Sequence, residues 1–165
     1  SLTAREIVNT WPEKSLEQIF TEYGEERHAA RAAQAIAAAR KLAPINTTRE
    51  LAEVVVRGVR GRGSHRIHPA TRIFQALRIA TNSELENIKS ALPEMVSLLE
   101  PGGRLAVLTF HSLEDRIVKF FFRDCARAEE PSIRLVNKHV IKPGRPEVLA
   151  NKPSRSAKLR VIEKL

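Results

Sequence analysis

The sequence has little cysteine and no long apolar run, and both features limit the classes of protein to which it can belong. Its single cysteine, Cys125, cannot form an internal disulfide or a zinc cluster, so the chain suits a reducing compartment. No run approaches the roughly 20 apolar residues that a membrane helix requires. The first residues predict a capped amphipathic helix, not a secretory leader. We therefore expect a soluble globular protein of the cytoplasm or, alternatively, of an organelle matrix.

Acidic residues are too few to balance the basic ones. Lys and Arg together number 28 and Asp and Glu 19, which gives a formal net charge of +9 and an isoelectric point near 10.3. Arginine outnumbers lysine by 19 to 9, and the planar guanidinium suits phosphate forks and base stacking better than an ammonium group. This excess of positive charge favours a polyanionic partner, and nucleic acid is the leading candidate. The alternative is a basic surface that has no partner.

The first part of the chain predicts a small helical subdomain with a basic outer surface. Capping boxes of the S/T-x-x-E/Q type begin at Thr3, Ser15 and Thr47, and each predicts the start of a helix. An alanine-rich segment, residues 25–42, predicts a further helix, and Gly24 suits the end of the helix before it.

The segment 61–68, GRGSHRIH, predicts a loop, because it consists mainly of glycines and basic residues and has no regular spacing of apolar residues. We interpret it as a loop that faces phosphate groups. A metal site on His65 and His68 is the weaker interpretation, because the two histidines lack a cysteine or carboxylate partner at the usual spacing.

The second part changes from helical to strand periodicity after Pro101, Gly102 and Gly103. Residues 105–110, LAVLTF, are a continuous apolar run, as expected of a strand buried on both faces, and residues 113–127 return to helical spacing. Two later segments, 133–141 and 158–162, alternate and predict edge strands. Helix, glycines, buried strand, loop and helix in this order are half of a doubly wound α/β unit.

A dense polar run, residues 111–116, follows the predicted strand. Ligands of open α/β sheets bind outside the carboxyl ends of the strands, so this run occupies the expected functional edge. A structural interpretation stays open beside it, in which Ser112 caps the next helix with Asp115 at its third position. His111, Ser112 and Asp115 do not predict a hydrolase triad, because triad residues normally converge from separate segments.

Five ordered segments resemble the RsmH/MraW family: SLTAREIVNTW at residues 1–11, YGEE at 23–26, HPATRIFQALRIA at 68–80, PGGRLAVLTFHSLEDRIVK at 101–119 and RSAKLR at 155–160. The resemblance implies S-adenosylmethionine-dependent methylation of the exocyclic N4 of a cytosine in the decoding region of small-subunit (16S) ribosomal RNA. It also implies an α/β fold, the C-terminal half of a class I (Rossmann-like) methyltransferase sheet with an all-α inserted subdomain. We therefore expect a helical RNA-recognition subdomain, residues 1–66, and part of the methyltransferase domain, residues 67–165.

The sequence departs from the family pattern in one respect, since it contains no G-x-G turn between a strand and a helix. In the family, the glycine-rich loop and the acidic residue for the cofactor ribose precede the SLTA segment. We therefore expect the main S-adenosyl-L-methionine motifs upstream of Ser1, assign no cofactor-binding residue or metal ligand here, and expect the isolated chain to be inactive. The alternative is a non-catalytic RNA-binding or ribosome-assembly module. Either would bind small-subunit ribosomal RNA or the ribosomal subunit, and no membrane.

Candidate site residues follow from the resemblance and from their positions. His111 and Ser112 would act in catalysis by contacting the extruded base or its sugar, and Lys119 by returning to the pocket or binding a phosphate. The alternatives are a structural histidine and a solvent-exposed lysine. The RNA-binding candidates are Trp11, as a stacking platform or a core anchor, Arg72 and Arg78, of which one binds phosphate and the other braces the sheet, and Asp115.

Overall fold

The computed structural model describes residues 2–59 and 68–165, and the chain divides into two compact units, Ser1–Glu84 and Leu85–Leu165. The first is built from α1 (Ala4–Thr10), α2 (Glu13–Glu22), α3 (Ala29–Ala39), α4 (Thr48–Val59) and α5 (Thr71–Asn82). The second continues with α6 (Glu84–Ser97), β1 (Arg104–Thr109), α7 (Ser112–Ala126), β2 (Ile133–Leu135), α8 (Arg145–Ala150), a 3-10 helix (Lys152–Ser156) and β3 (Lys158–Lys164). No helix in the described part is long and apolar enough to cross a bilayer.

The first unit extends beyond residue 66, where the sequence predicts a boundary. Helix α5 packs against α1 and α2, and its buried residues Ile73, Ala76 and Leu77 belong to the same core as those helices. Helix α5 therefore belongs to the first unit.

The predicted loop at residues 61–68 lies outside the described residues except for its last one, as does the candidate metal ligand His65. His68 is exposed, and its Nδ1 accepts a hydrogen bond from the backbone N–H of Ala70 at 3.2 Å. This nitrogen is therefore already engaged at the start of α5.

Small residues let the helices of the first unit approach closely. Helix α3 is shorter than the alanine-rich segment that predicts it, and a Cβ on Gly58 of α4 would lie only 2.4 Å from the Cβ of Ala35. Gly24 follows the end of α2, as predicted, and a Cβ there would lie 2.7 Å from the carbonyl oxygen of Arg72 on α5. Glycine is therefore required at these two helix contacts, because a Cβ atom would not fit between the helices.

The predicted capping box at Thr47 is confirmed, since the Glu50 carboxylate also accepts from the backbone N–H of Thr47 at 3.0 Å. At Thr3 the predicted helix start is confirmed, but the structure shows only the hydroxyl half of the box. The side chains of Thr3 and Thr47 each accept a hydrogen bond, at 3.2 Å, from the backbone N–H three residues later. The box at Ser15 is wrong, because α2 begins at Glu13 directly after Pro12 and no side chain caps it. Pro12 is the N-cap of α2, and its fixed φ angle favours a helix start at this position, two residues before Ser15.

The strands of the second unit form a sheet in the order β1-β3-β2. Strand β3 pairs antiparallel with both neighbours, so β1 and β2 run parallel to each other. The prediction that residues 158–162 form an edge strand is therefore wrong. Charged residues of the sheet pair across it, since Glu163 of β3 accepts from Arg104 of β1 at 2.9 Å and from Arg134 of β2 at 2.6 Å.

Two further strand predictions need correction. Strand β2 has only three residues, and beyond it Ile141 forms an isolated bridge to Leu159. Strand β1 is not buried on both faces, because half-buried and exposed residues alternate along it and Leu108 is 53% exposed. Its other face packs, through Leu105 and Val107, on a core that α6, α7 and the sheet form with the residues Leu92, Val96, Val118, Phe122, Ile133 and Ile162.

Candidate active-site edge and nucleic-acid interface

A capping box fixes the first turn of α7, directly after the carboxyl end of β1. His111 is the N-cap, and its Nδ1 accepts a hydrogen bond from the backbone N–H of Glu114 at 3.3 Å. The Glu114 carboxylate accepts in return from the backbone N–H groups of Phe110, at 2.8 Å, and His111, at 3.2 Å. The interpretation with Ser112 as cap and Asp115 as third residue is therefore wrong by one residue. An imidazole nitrogen here takes the place of the usual hydroxyl or carboxylate acceptor.

The Glu114 carboxylate is a fixed negative charge at this junction. Burial raises its pKa, but the adjacent His111 side chain and the backbone N–H of Phe110 outweigh the burial and lower the pKa to about 2. The positive end of the α7 dipole favours the same ionised form.

The second ring nitrogen of His111, Nε2, is buried beside Glu114. The side chain is only 12% exposed, and its buried Nε2 lies 3.2 Å from Glu114 Oε1 but has no hydrogen bond of acceptable geometry among the described residues. Because Nδ1 accepts from a backbone N–H, the neutral ring carries its proton on Nε2. This nitrogen lies beside the ionised Glu114 carboxylate, which is how the His111 side chain helps to lower the pKa of Glu114.

Asp115 ties the start of α7 to β3. The residue is 8% exposed, and its carboxylate accepts from Arg160 Nε at 2.7 Å and from Lys158 Nζ at 3.2 Å. Burial raises the pKa of Asp115, but these two cations outweigh it and hold the pKa below its ordinary value. Both carboxylate oxygens thus bind side chains of β3, which positions the helix. Contact of Asp115 with RNA stays a prediction.

His111 and Ser112, the two predicted catalytic neighbours, line one small open cleft of about 210 Å³. Cationic side chains surround this cleft, namely Lys142, Arg155 and Lys158. None of these three cations is among the predicted site residues, although Arg155 and Lys158 belong to the RSAKLR segment. Lys142 could not be found from its sequence neighbours, because it is brought to β3 by the bridge between Ile141 and Leu159.

Lys119, the third predicted catalytic residue, lies elsewhere. It is exposed two turns along α7, its Nζ is 5.9 Å from the centre of the Phe120 ring, and it does not line the cleft of His111 and Ser112. It lines a second groove, between α7 and the chain after β2. The structure therefore does not bring Lys119 together with the other two residues.

The predicted RNA-binding residues of the helical unit take part in its own contacts. Trp11 ends α1 and packs, half-buried, against the helical core. The Arg72 guanidinium donates to the carbonyl oxygen of Glu25 at 2.7 Å, and the Arg78 guanidinium pairs with Glu84 at 2.8 Å. Both arginines are thus bonded within the helical unit, and these bonds give no support to the prediction that one of them braces the sheet. Arg78 remains 55% exposed.

Helices combined with a small sheet, in which an antiparallel strand lies between two parallel ones, are consistent with an α/β methyltransferase. The site at the carboxyl end of β1 is where such a fold binds ligands. The sequence matches the MraW methylase family over residues 1–165, and the chain belongs to that family.

The chain is similar to several curated proteins named "Ribosomal RNA small subunit methyltransferase H". It is 54% identical over 163 residues to the one from Coprothermobacter proteolyticus, covering 99% of this chain and 53% of the relative. It is 44% identical over 176 residues to the one from Carboxydothermus hydrogenoformans, covering 99% and 57%. The relative from Thermomicrobium roseum is 47% identical over 172 residues, covering 96% and 52%. The chain thus spans about half the length of the curated relatives it matches.

Proposed function

We propose that this chain is the RNA-facing part of an S-adenosylmethionine-dependent enzyme of the cytoplasm that methylates N4 of a cytosine in the decoding region of small-subunit ribosomal RNA. The observation that carries the proposal is the family match over the whole chain, together with relatives named as small-subunit ribosomal RNA methyltransferases. The net charge of +9 supports an RNA partner. We infer that the sheet is the C-terminal half of a class I methyltransferase sheet and the helical unit its inserted RNA-recognition subdomain.

Methylation of a cytosine N4 depends mainly on positioning. The amine lone pair is delocalised into the ring, so it must be aimed at the methyl donor while the amine proton is lost. His111 and Ser112 line the same open cleft beside β1, which is where a base extruded from the RNA would enter. We infer that His111 and Ser112 contact the extruded base or its sugar at this cleft.

The capping box keeps His111 in place for this role. Its Nδ1 is held by the backbone N–H of Glu114, so the ring cannot turn without breaking the start of α7. Glu114 itself, with a pKa of about 2, is too weak a base to take the amine proton at neutral pH. We therefore assign Glu114 a positioning role, and Asp115 the same role through Arg160.

The described residues do not form a cradle for S-adenosylmethionine. No described strand is followed by a glycine-rich turn, and the helix N-terminus after β1 is already occupied by the Glu114 carboxylate. The proposal accordingly concerns the whole enzyme, and it assigns base and RNA binding to this chain.

The test is methyl transfer by the complete protein that contains this chain. Purified small ribosomal subunits receive labelled methyl groups from S-adenosylmethionine, and nucleoside mass spectrometry of the digested RNA identifies the product. N4-methylated cytidine at one decoding-region position is the expected result. RNA binding without any methyl transfer would instead support the alternative, a non-catalytic RNA-binding or ribosome-assembly module.

A further inference from the structure

A second groove, which we call the α7 groove, lies between helix α7 and the chain that follows β2. It has a volume of about 240 Å³, and its floor is apolar, with Phe122, Leu135 and Val161. Its walls are basic, with Lys119, Arg123, Arg127, Lys138, His139 and Arg160, of which Arg160 is already paired with Asp115. No carboxylate is among the described residues that line it.

The charges of the α7 wall lie in one row. Lys119 and Arg123 are four residues apart and lie on one face of the helix, and Arg127, four residues further, is the C-cap that follows it. Like charges at this spacing destabilise a helix. Asp124 pairs with Arg123 at 2.7 Å, whereas Arg127 has no ion pair or side-chain hydrogen bond within residues 2–59 and 68–165.

The opposite wall is held rigidly by one side chain. Asn137 donates to the carbonyl oxygen of His139 at 2.7 Å and accepts from the backbone N–H of Val161 at 2.7 Å. These bonds fix the turn that carries Lys138, an exposed lysine without an ion pair in the described part of the chain. The cations of the two walls are therefore presented by a preorganised backbone, which lowers the entropy lost on binding.

We propose that the α7 groove binds phosphate groups of a single RNA strand, outside the cleft that holds His111 and Ser112. The basic walls suit phosphates, and the apolar floor suits an unstacked base beside them, a combination typical of single-strand binding sites. The proposal rests on the proposed function for its choice of RNA as the polyanion. It explains Lys119 as a residue that holds the RNA strand at a distance from the reacting base.

The test compares two double variants of this chain in binding to a fluorescent single-stranded RNA oligonucleotide. Arg127→Gln with Lys138→Gln removes two cations of the groove. Arg145→Gln with Lys152→Gln is the control, because it also removes one exposed Arg and one exposed Lys of the same unit, and neither lines the groove. Fluorescence anisotropy gives Kd at several potassium chloride concentrations, and circular dichroism melting checks that each variant is folded.

Each phosphate contact contributes about 0.7 to the slope of log K against log salt for a single strand. The groove variant should therefore lose about 1.4 of the slope and bind at least about fivefold more weakly at low salt, with the control close to wild type. The single variant Lys138→Gln should lose about half as much slope, and it serves if the double variant does not fold.

Equal losses in the groove and control variants, an unchanged slope in the groove variants, or a wild-type chain that does not bind the oligonucleotide would overturn the proposal. Failure of the proposed function has a different signature, since it appears as absent methyl transfer by the complete protein. Methyl transfer with an unaffected slope would overturn the groove proposal alone.

Discussion

The Glu114 carboxylate should make the stability of the second unit depend on pH in an acidic range. Folding lowers the pKa of Glu114 from 4.5 to about 2. Since one pKa unit corresponds to about 1.4 kcal/mol, the ionised carboxylate stabilises the folded state by about 3 kcal/mol. A carboxylate whose pKa falls on folding contributes this stability above its unfolded pKa and loses it as the pH falls through the folded pKa. The loss should therefore extend from about pH 4.5 to about pH 2.

Urea unfolding, followed by circular dichroism over this range, measures the effect in wild type and in Glu114→Ala. At neutral pH the variant should be less stable by about 3 kcal/mol, and at about pH 2 and below the difference should shrink to less than about 1 kcal/mol, because the folded wild-type protein then loses its ionised carboxylate as well. Glu129→Ala, which removes an exposed carboxylate after α7, is the control and should follow wild type. A difference between wild type and Glu114→Ala that stays constant with pH would refute the electrostatic account of the capping box.

Three further predictions concern other positions. Asp115→Ala leaves two β3 cations without their counter-charge and should lower the free energy of unfolding in urea by about 3 kcal/mol; a loss below about 1 kcal/mol would contradict the ion-pair interpretation. Gly24→Ala places a Cβ 2.7 Å from the carbonyl oxygen of Arg72 and should lower the free energy of unfolding by about 1–3 kcal/mol. An unchanged free energy of unfolding would mean that α2 and α5 can move apart at this contact without cost. In the complete enzyme, His111→Ala should lower kcat/KM by more than about tenfold, and Lys119→Ala should mainly raise the KM for RNA. Steady-state methyl transfer measures both effects, and an unchanged kcat/KM in the His111 variant would contradict the proposed role of His111.

The order of elements in the second unit could be predicted from the sequence because its periodicity changes sharply. The glycines at 102 and 103 separate α6 from β1, and the polar run after LAVLTF coincides with the start of α7. The position of β3 could not be predicted, because a strand with charged residues at alternate positions resembles an edge strand. Those charges are satisfied by residues distant in sequence, such as Asp115 on α7 and Arg104 on β1.

The candidate site was predictable only where its residues are neighbours in sequence. His111 and Ser112 follow directly from the strand end, whereas Lys142 and Lys138 reach their clefts through pairing with β3. The cap was misplaced by one residue because sequence rules favour serine, whereas a histidine nitrogen accepts the same backbone hydrogen bond. Periodicity along the chain does not specify which loops a central strand brings together.

The most direct test of the central claim is the methylation state of one cytosine. Small ribosomal subunits lacking the modification are incubated with S-adenosylmethionine and the complete protein, either wild type or with His111→Ala and Ser112→Ala together. We predict that the wild-type protein places one methyl group on N4 of a decoding-region cytosine and that the double variant, although folded and bound to the subunit, does so at least about a hundredfold more slowly. Methylation at another atom, or equal rates for both proteins, would contradict the account.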